Sequence, residues 1–301
     1  MVPKASFDSY YGRPVLKEPA WAAPEVPGYL FLGGLAGASS VLAGFAQLSG
    51  NRELSRAAKA GAAAAIGLSM LALVDDLGRP ARFMNMLRVL KVTSPMSVGS
   101  WLLAAYGPAA GAAAASAVTG RLPAGGAAAT AGAAALGTGV ATYTAALLSD
   151  TAVPAWHEGH REMPYVFAGS AATAAGGLGM LAVSPAHAGQ AVRFAVLGAA
   201  TELTAKSVLL RRLGAAAEPY QQGLAGRLME SGEVLTAAGL AGAVLAGRSR
   251  AAAAVSGAAL MAASALTRFG VFEAGRASAR DPKYTVEPQR ERLRSGAAPV
   301  A

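Results

Sequence analysis

The segment AAKAGAAAAIGLSMLALVDDLGRPARFMNMLRVLKVTSPMSVGSW, residues 57–101, holds the pattern on which the fold turns. From Ala57 to Val74 the only charge is Lys59, and the carboxylates of Asp75 and Asp76 close the run. Arg79, Arg82, Arg88 and Lys91 then crowd into a short hinge between apolar stretches, with Pro80 and Pro95 limiting its backbone freedom. A second apolar run starts near Ser97 and carries Trp101 at its mouth. Crossing a bilayer takes roughly 20 apolar residues in a helix, and the pattern of such runs separated by short polar hinges recurs along the chain.

About eight windows qualify, near residues 26–48, 57–77, 97–119, 126–149, 163–184, 187–209, 230–247 and 251–272. The chain has 301 residues, of which 53% are hydrophobic and 14% charged. A soluble domain carries about 25% charge. A soluble alanine-rich helical protein would show Glu and Lys along one face of each helix, and these windows do not. Several windows are nearly all Ala and Gly, so each is marginally hydrophobic and depends on its neighbours to stay inserted. The expected fold is therefore an all-α polytopic membrane protein. It has an N-terminal segment at 1–25, a membrane domain at 26–272 and a basic tail at 273–301. No basic start feeds a short apolar core, so the first span reads as an uncleaved anchor.

The absence of cysteine excludes structural disulfides, cysteine-ligated iron–sulfur clusters and covalently attached haem in this polypeptide. His157 and His160 fall in a loop and His187 at a helix start, so no span offers an interior haem ligand. The reading is of a chain with no metal of its own.

An even number of spans puts both termini on one face, here the terminal face. It gathers Lys4, Arg13, Lys17, the four hinge cations, Arg161, Arg211, Arg212, Arg227 and the tail from Arg276 to Arg294. The opposite face has Arg52, Arg56, Lys59, Arg121, Arg193, Arg248 and Arg250. The positive-inside rule makes the terminal face cytoplasmic. The net charge of +9 fits a basic rim against anionic headgroups or an acidic protein partner, and nucleic acid is not an expected ligand.

Polar groups near the span ends fall on that same face: Glu25 and Tyr29, Asp75 and Asp76, Trp101, Tyr143 and Asp150, Glu202 and Lys206, Glu230 and Glu233, and Arg268. Ionisable groups at membrane depth cost several kcal/mol unless paired or facing a cavity, so a one-sided cluster reads as a site. Glu202 and Lys206 are four apart with the acid first, the favourable order for a same-face ion pair. A pocket with acids and tyrosines but no metal ligands suits a quinone. The carbonyl needs a hydrogen-bond donor and the protons need a titratable relay. Transporters also line cavities with acids; their usual sign is a pair of interrupted helices in matching halves, and no convincing repeat is present. A proton- or solute-translocating subunit, with Asp75, Glu202 and Lys206 as a proton path, stays open on the residues alone. So does a passive anchor.

DDLGRPARFMNMLRVLKVTSPMSVGSW, Asp75 to Trp101, closely resembles the loop between the second and third helices of the NrfD/PsrC family of membrane subunits. PEVPGYLFLGGLAGASS, Pro24 to Ser40, resembles the first helix of that family, and YTAALLSDTAVPAWHE, Tyr143 to Glu158, the fourth-helix exit. The tail TRFGVFEAGRASARDPKYTVEPQ, Thr267 to Gln289, is similar to members found beside formate dehydrogenase-like subunits. The resemblance implies a haem-free subunit in a bacterial cytoplasmic membrane, built as two four-helix bundles over 26–149 and 163–272. It implies exchange of electrons between a menaquinone-type quinol and a ferredoxin-like four-cluster iron–sulfur partner, which adjoins a molybdopterin catalytic subunit. On matching positions it implies quinone binding by Glu25, Tyr29, Asp76 and Tyr143, with Asp76 and Tyr143 closest to the chemistry. Arg79, Arg82, Arg88 and Lys91 are then expected to face the partner and lipid phosphates. RFMNMLRVL is expected to form a short interfacial helix presenting Phe83, Met84, Leu87 and Leu90. Gly33 and Gly37 are expected to allow close helix contact, and Arg268 and Asp281 to anchor the tail.

Overall fold

A computed structural model describes residues 15–19, 21, 23–76 and 81–295; the side chains at 76, 81, 83, 215 and 291–295 fall outside that description. Among the described residues there is no strand. Eight helices of 20 or more residues follow in order: α1 Glu25–Leu48, α2 Arg52–Asp76, α3 Pro95–Thr119, α4 Pro123–Ser149, α5 Met163–Ala182, α6 Gly189–Leu213, α7 Gly223–Ala243 and α8 Arg250–Arg280.

Local chemistry sets their ends. Asn51 opens α2 by accepting the Leu54 amide on its side-chain oxygen at 3.2 Å. Ser249 caps α8 through the Ala252 amide at 3.2 Å. In each case the cap satisfies a donor that the first turn leaves without a partner. Proline stands at the start of α3 and α4, where its missing N–H costs nothing. Gly120 ends α3 at φ +69°, a left-handed turn that glycine adopts without a Cβ penalty.

Helices α1–α4 pack as one bundle and α5–α8 as a second, with α1 and α5 forming most of the seam. Helix α1 is the central element: 72% of its most apolar stretch is buried, against 22% for α3 on the periphery. Small residues permit the close crossings. A Cβ on Gly37 would come within 2.3 Å of the Gly137 carbonyl oxygen on α4, whereas one on Gly33 would meet only Ser69 Oγ at an ordinary 3.6 Å. Of the expected pair of contact glycines, Gly37 alone is required by packing.

Six of the eight, α1–α5 and α8, are long and apolar enough to cross a membrane by length and composition. The other two, α6 and α7, hold interior charges, of which one pair meets across the helices: Lys206 of α6 forms a salt bridge with Glu233 of α7. The sequence windows match the helices to within four residues except that α2 starts five and α7 seven residues before its window, and that the end differs. Helix α8 continues eight residues past 272, so the tail does not begin at 273 as an independent segment. Burial explains the extension. Gly275 lies flat against the Trp156 indole, and Ser278 Oγ accepts the Ala155 amide at 3.2 Å. The last described helix is Lys283–Ser295.

Trp156 is the anchor of the terminal face. It sits in the short helix Pro154–Glu158, is fully buried, and donates its indole N–H to the Val271 carbonyl at 2.8 Å. Trp21 stacks on it at 5.5 Å between centroids and Phe272 packs at 5.9 Å. Burying a side chain of this size contributes about 2–3 kcal/mol, here with its polar edge satisfied. The α4 exit motif is thus a clamp that ties the first bundle to α8.

Candidate functional site

Two polar clusters emerge where the sequence suggested one. The first lies at the terminal-face end of the first bundle. Glu25 and Tyr29 are one turn apart at the start of α1, on one side of the helix. Tyr29 is buried at 7% exposure. Its backbone carbonyl accepts Ser69 Oγ of α2 at 3.1 Å, a cross-helix bond that fixes this turn of α1. Glu25 holds one carboxylate oxygen, Oε2, buried without a hydrogen-bond partner. Tyr143 comes from the last third of α4, and its phenol is close enough to that of Tyr29 for the two to interact electrostatically. The Tyr143 ring lies directly against Gly99 of α3, where an added Cβ would approach Cε2 to 2.3 Å and Cδ2 to 2.6 Å. Helices α3 and α4 therefore meet at Tyr143, and Tyr29 of the adjacent α1 lies within electrostatic range of it, with its turn braced by α2.

The remaining expected site residues spread around this centre. Asp75 is exposed at the end of α2. The Asp76 side chain and Arg79 lie outside the described residues. A helix does form in the hinge, at Ala81–Met86, and it is shorter than expected. Met84 and Leu90 are exposed at 66% and 57%, as expected, and Val89 joins them. Leu87 is half-buried, and the side chain of Phe83 falls outside the description. Arg82, Arg88 and Lys91 are exposed along the same rim. Ser97 Oγ holds the hinge by donating to the Val89 carbonyl and accepting the Lys91 amide, each at 3.0 Å. Four cavities among the described residues are lined by side chains other than Glu25, Tyr29 and Tyr143. Tyr29 is buried, whereas Glu25 and Tyr143 are half-buried.

The second cluster is deep in the second bundle. Glu202 of α6 is 5% exposed and accepts Thr267 Oγ1 of α8 at 2.7 Å. Arg268 is 1% exposed, donates Nη2 to the Phe167 carbonyl at 2.7 Å and stacks its guanidinium 3.7 Å from the Phe167 ring centre. Its Nε and Nη1 are buried without a partner. The guanidinium also touches α1, 3.0 Å from where a Cβ on Gly34 would stand. Gly34 lies nine residues inside the start of α1, about 14 Å along its axis at the helical rise, so this cluster sits well below the terminal rim.

Two expectations are corrected here. Arg268 does not anchor the tail, because it lies in the core twelve residues before the end of α8. The tail is held instead by Arg276 and Arg280 on Glu18, at 3.0 and 2.6 Å, and by Lys283 on Glu218 at 2.8 Å. Asp281 instead accepts the Lys283 amide at 3.0 Å. Glu202 and Lys206 share a face of α6 but do not form the expected salt bridge; Lys206 reaches Glu233 and Glu202 reaches Thr267.

Arg212 of α6 ties the two faces of this rim with a two-pronged contact to Glu162, Nε to Oε1 and Nη2 to Oε2, both at 2.6 Å. This guanidinium holds the Glu162 carboxyl below the usual carboxylate range. Sequence reasoning missed Ser69, Gly99, Thr267 and this pair. Each depends on which helices become neighbours, information that the order of spans alone does not carry. Among the described residues no cluster of His, Asp and Glu is arranged to hold a metal.

The family model described as polysulphide reductase, NrfD, matches residues 17–195, more than half of the chain. That stretch contains the whole first bundle, α5 and the start of α6, so the tyrosine cluster falls inside it and Glu202, Lys206 and Arg268 fall beyond it. No curated protein matches the chain. With its multi-pass helical architecture, this chain belongs to the NrfD family, the membrane subunits of polysulfide reductase-like oxidoreductase complexes.

Proposed function

We propose that the chain is the quinone-reactive subunit of such a complex, binding a menaquinone-type headgroup at the terminal-face end of the first bundle. The observation that carries this reading is the Tyr143 ring of α4 packed on Gly99 of α3, with Tyr29 of α1 within electrostatic range and a buried, unpartnered carboxylate oxygen of Glu25 one turn nearer the rim. Reducing a quinone to its quinol consumes two electrons and two protons. A phenol O–H donates to the carbonyl oxygen that gains charge, and a carboxylate at the rim passes protons between that oxygen and water. Glu25 and Asp76 are the groups placed by sequence for that relay, and Tyr143 is the donor. Tyr143 and Glu25 are half-buried, so the headgroup reaches them from their partly exposed side, with the Tyr143 ring packed on Gly99.

The electrons pass to or from an iron–sulfur partner docked on the terminal face, and a molybdopterin subunit lies beyond it. Support comes from the exposed apolar residues Met84, Val89, Leu90 and Val92 beside Arg82, Arg88 and Lys91. Exposed apolar side chains interspersed with cations suit a protein contact. Both termini and this face are assigned to the cytoplasm of a bacterial cell by the distribution of Lys and Arg.

A second reading, proton translocation, rests on Glu202, Lys206 and Arg268, buried charges at membrane depth of the kind that mark proton relays. The two readings separate on Tyr143→Phe and Asp76→Asn in the assembled complex. Each is expected to lower quinone-linked turnover by roughly a hundredfold and to leave the dye-linked activity of the catalytic subunit unchanged. Undiminished quinone-linked turnover in both variants refutes the proposal.

A further inference from the structure

Arg52, Arg56 and Lys59 stand at positions i, i+4 and i+7 of α2, on one face of the helix. All three line a single hollow of about 450 Å³ at the end of the first bundle farthest from the tyrosines. Its other walls include Gln47 of α1 and Ser116 of α3, and among the described residues no carboxylate lines it. Lys59 marks the neck. Beyond it, toward Ser40, the space between alanines is too narrow for a water molecule, and deeper still Ser40 Oγ and the Tyr106 hydroxyl are hydrogen-bonded at 2.8 Å. The hollow is a dead end, suited to holding a ligand and unsuited to passing one.

Its charge is uncompensated by the chain. Lys59 Nζ donates to the neutral Gln47 Oε1 at 2.6 Å, and the neighbouring Arg56 repels it. Among the described residues Arg52 and Arg56 have no hydrogen-bond or ion-pair partner. The one acid nearby in sequence, Glu53, is turned away: it accepts the Ser184 amide at 2.5 Å and hydroxyl at 3.0 Å and pairs with His187 at 2.8 Å. Three like charges gathered in one concavity repel one another unless an anion joins them. They also lie on the face that the charge bias of the rest of the chain leaves poor in cations, so topology does not account for them.

We propose that this hollow is an oxyanion site, in which the two guanidiniums and the Lys59 ammonium hold a phosphate group, either free or as the headgroup of an anionic phospholipid. Guanidinium forks match the oxygens of a tetrahedral anion, and the first-turn amides of α2 open on the same end. The site is independent of the quinone reading, because it uses other residues at the opposite end of the bundle.

The test uses the full chain in neutral detergent. In one arm, thermal unfolding is followed against inorganic phosphate, with chloride adjusted to constant ionic strength. In the other, native mass spectrometry counts phosphatidylglycerol retained in preference to phosphatidylcholine. Wild type is expected to bind in at least one arm, and Arg56→Gln with Lys59→Gln to weaken that binding by about tenfold or more. Arg193→Gln, a cation of the same face outside the hollow, is expected to bind as wild type does. Binding in the phosphate arm alone identifies a free anion, and in the lipid arm alone a headgroup. Should the Lys59 substitution unfold the protein, the exposed Arg52→Gln and Arg56→Gln variants carry the same comparison. Binding in neither arm, or binding unaffected by every one of these substitutions, overturns the proposal.

Discussion

Replacing Gly99 by alanine perturbs the proposed quinone site without removing any polar group. The new methyl would stand 2.3 Å from Tyr143 Cε2, whereas ordinary contact begins at 3.4 Å, so the ring must move by about 1 Å. The displaced group is a rigid ring, and α4 is held nearby by its backbone contact between Gly137 and Gly37. Overpacking of this kind costs about 1–3 kcal/mol. The gain in helix propensity from glycine to alanine offsets up to about 1 kcal/mol of that, so the protein stays folded. Catalysis is more sensitive, because a displacement of about 1 Å at a reacting group lowers rates by roughly a hundredfold. The matched control is Gly107→Ala on the same helix, where an added Cβ meets nothing within 4 Å. The assay is quinone-linked turnover of the assembled complex, normalised to its dye-linked activity. Gly99→Ala is expected to lose most of the first and keep the second, with Gly107→Ala unchanged in both. Equal quinone-linked activity in the two variants would refute the placement of the headgroup beside Tyr143.

Two further outcomes follow from the second bundle and the tail. Glu233→Gln strands the buried Lys206 ammonium and is expected to destabilise the protein by about 3 kcal/mol, whereas Lys206→Met leaves a half-exposed carboxylate and costs less; the double variant recovers most of the loss in detergent unfolding. The tail contact is expected to open in acid: the Lys283 ammonium and Tyr284 hydroxyl hold the Glu218 carboxyl below its ordinary 4.5, and a carboxylate with a lowered folded pKa stabilises above the unfolded value and ceases to as pH falls through the folded one. Spin labels at Gln289 and Gln221 therefore keep a short distance at neutral pH and separate below pH 4.5; a distance unchanged well below that value counts against the contact.

The run lengths in the sequence sufficed for eight helices because hydrocarbon thickness fixes the length of a span, whatever its neighbours. They sufficed even for α6 and α7, whose interior charges make them poor spans taken alone, since Lys206 and Glu233 pair only after packing. The end of α8 was not legible in this way. Its last turns are buried against Trp156, a residue more than a hundred positions earlier, and hydropathy records nothing of that contact. The site was partly legible. Tyr29 and Tyr143 stand out as phenols near span ends, and their meeting follows from α1 packing on α4. The sequence puts Arg268 near an apparent span end and in the tail motif, which suggests a surface role, since an arginine there ordinarily reaches for headgroups. Its burial follows from the later helix end and from the Phe167 ring and carbonyl that receive it. Lys206 pairs with another helix, while Glu202 accepts the Thr267 hydroxyl, partners that the i, i+4 spacing does not show.

The most direct measurement of the central claim is photoaffinity labelling of the full chain in its complex with an azido-menaquinone, with the labelled peptides mapped by mass spectrometry. Label confined to the start of α1, the hinge between α2 and α3 and the last turns of α4, and suppressed by excess menaquinone, is the predicted result. Label that is competed away by menaquinone but maps to α6, α7 or α8 would contradict it.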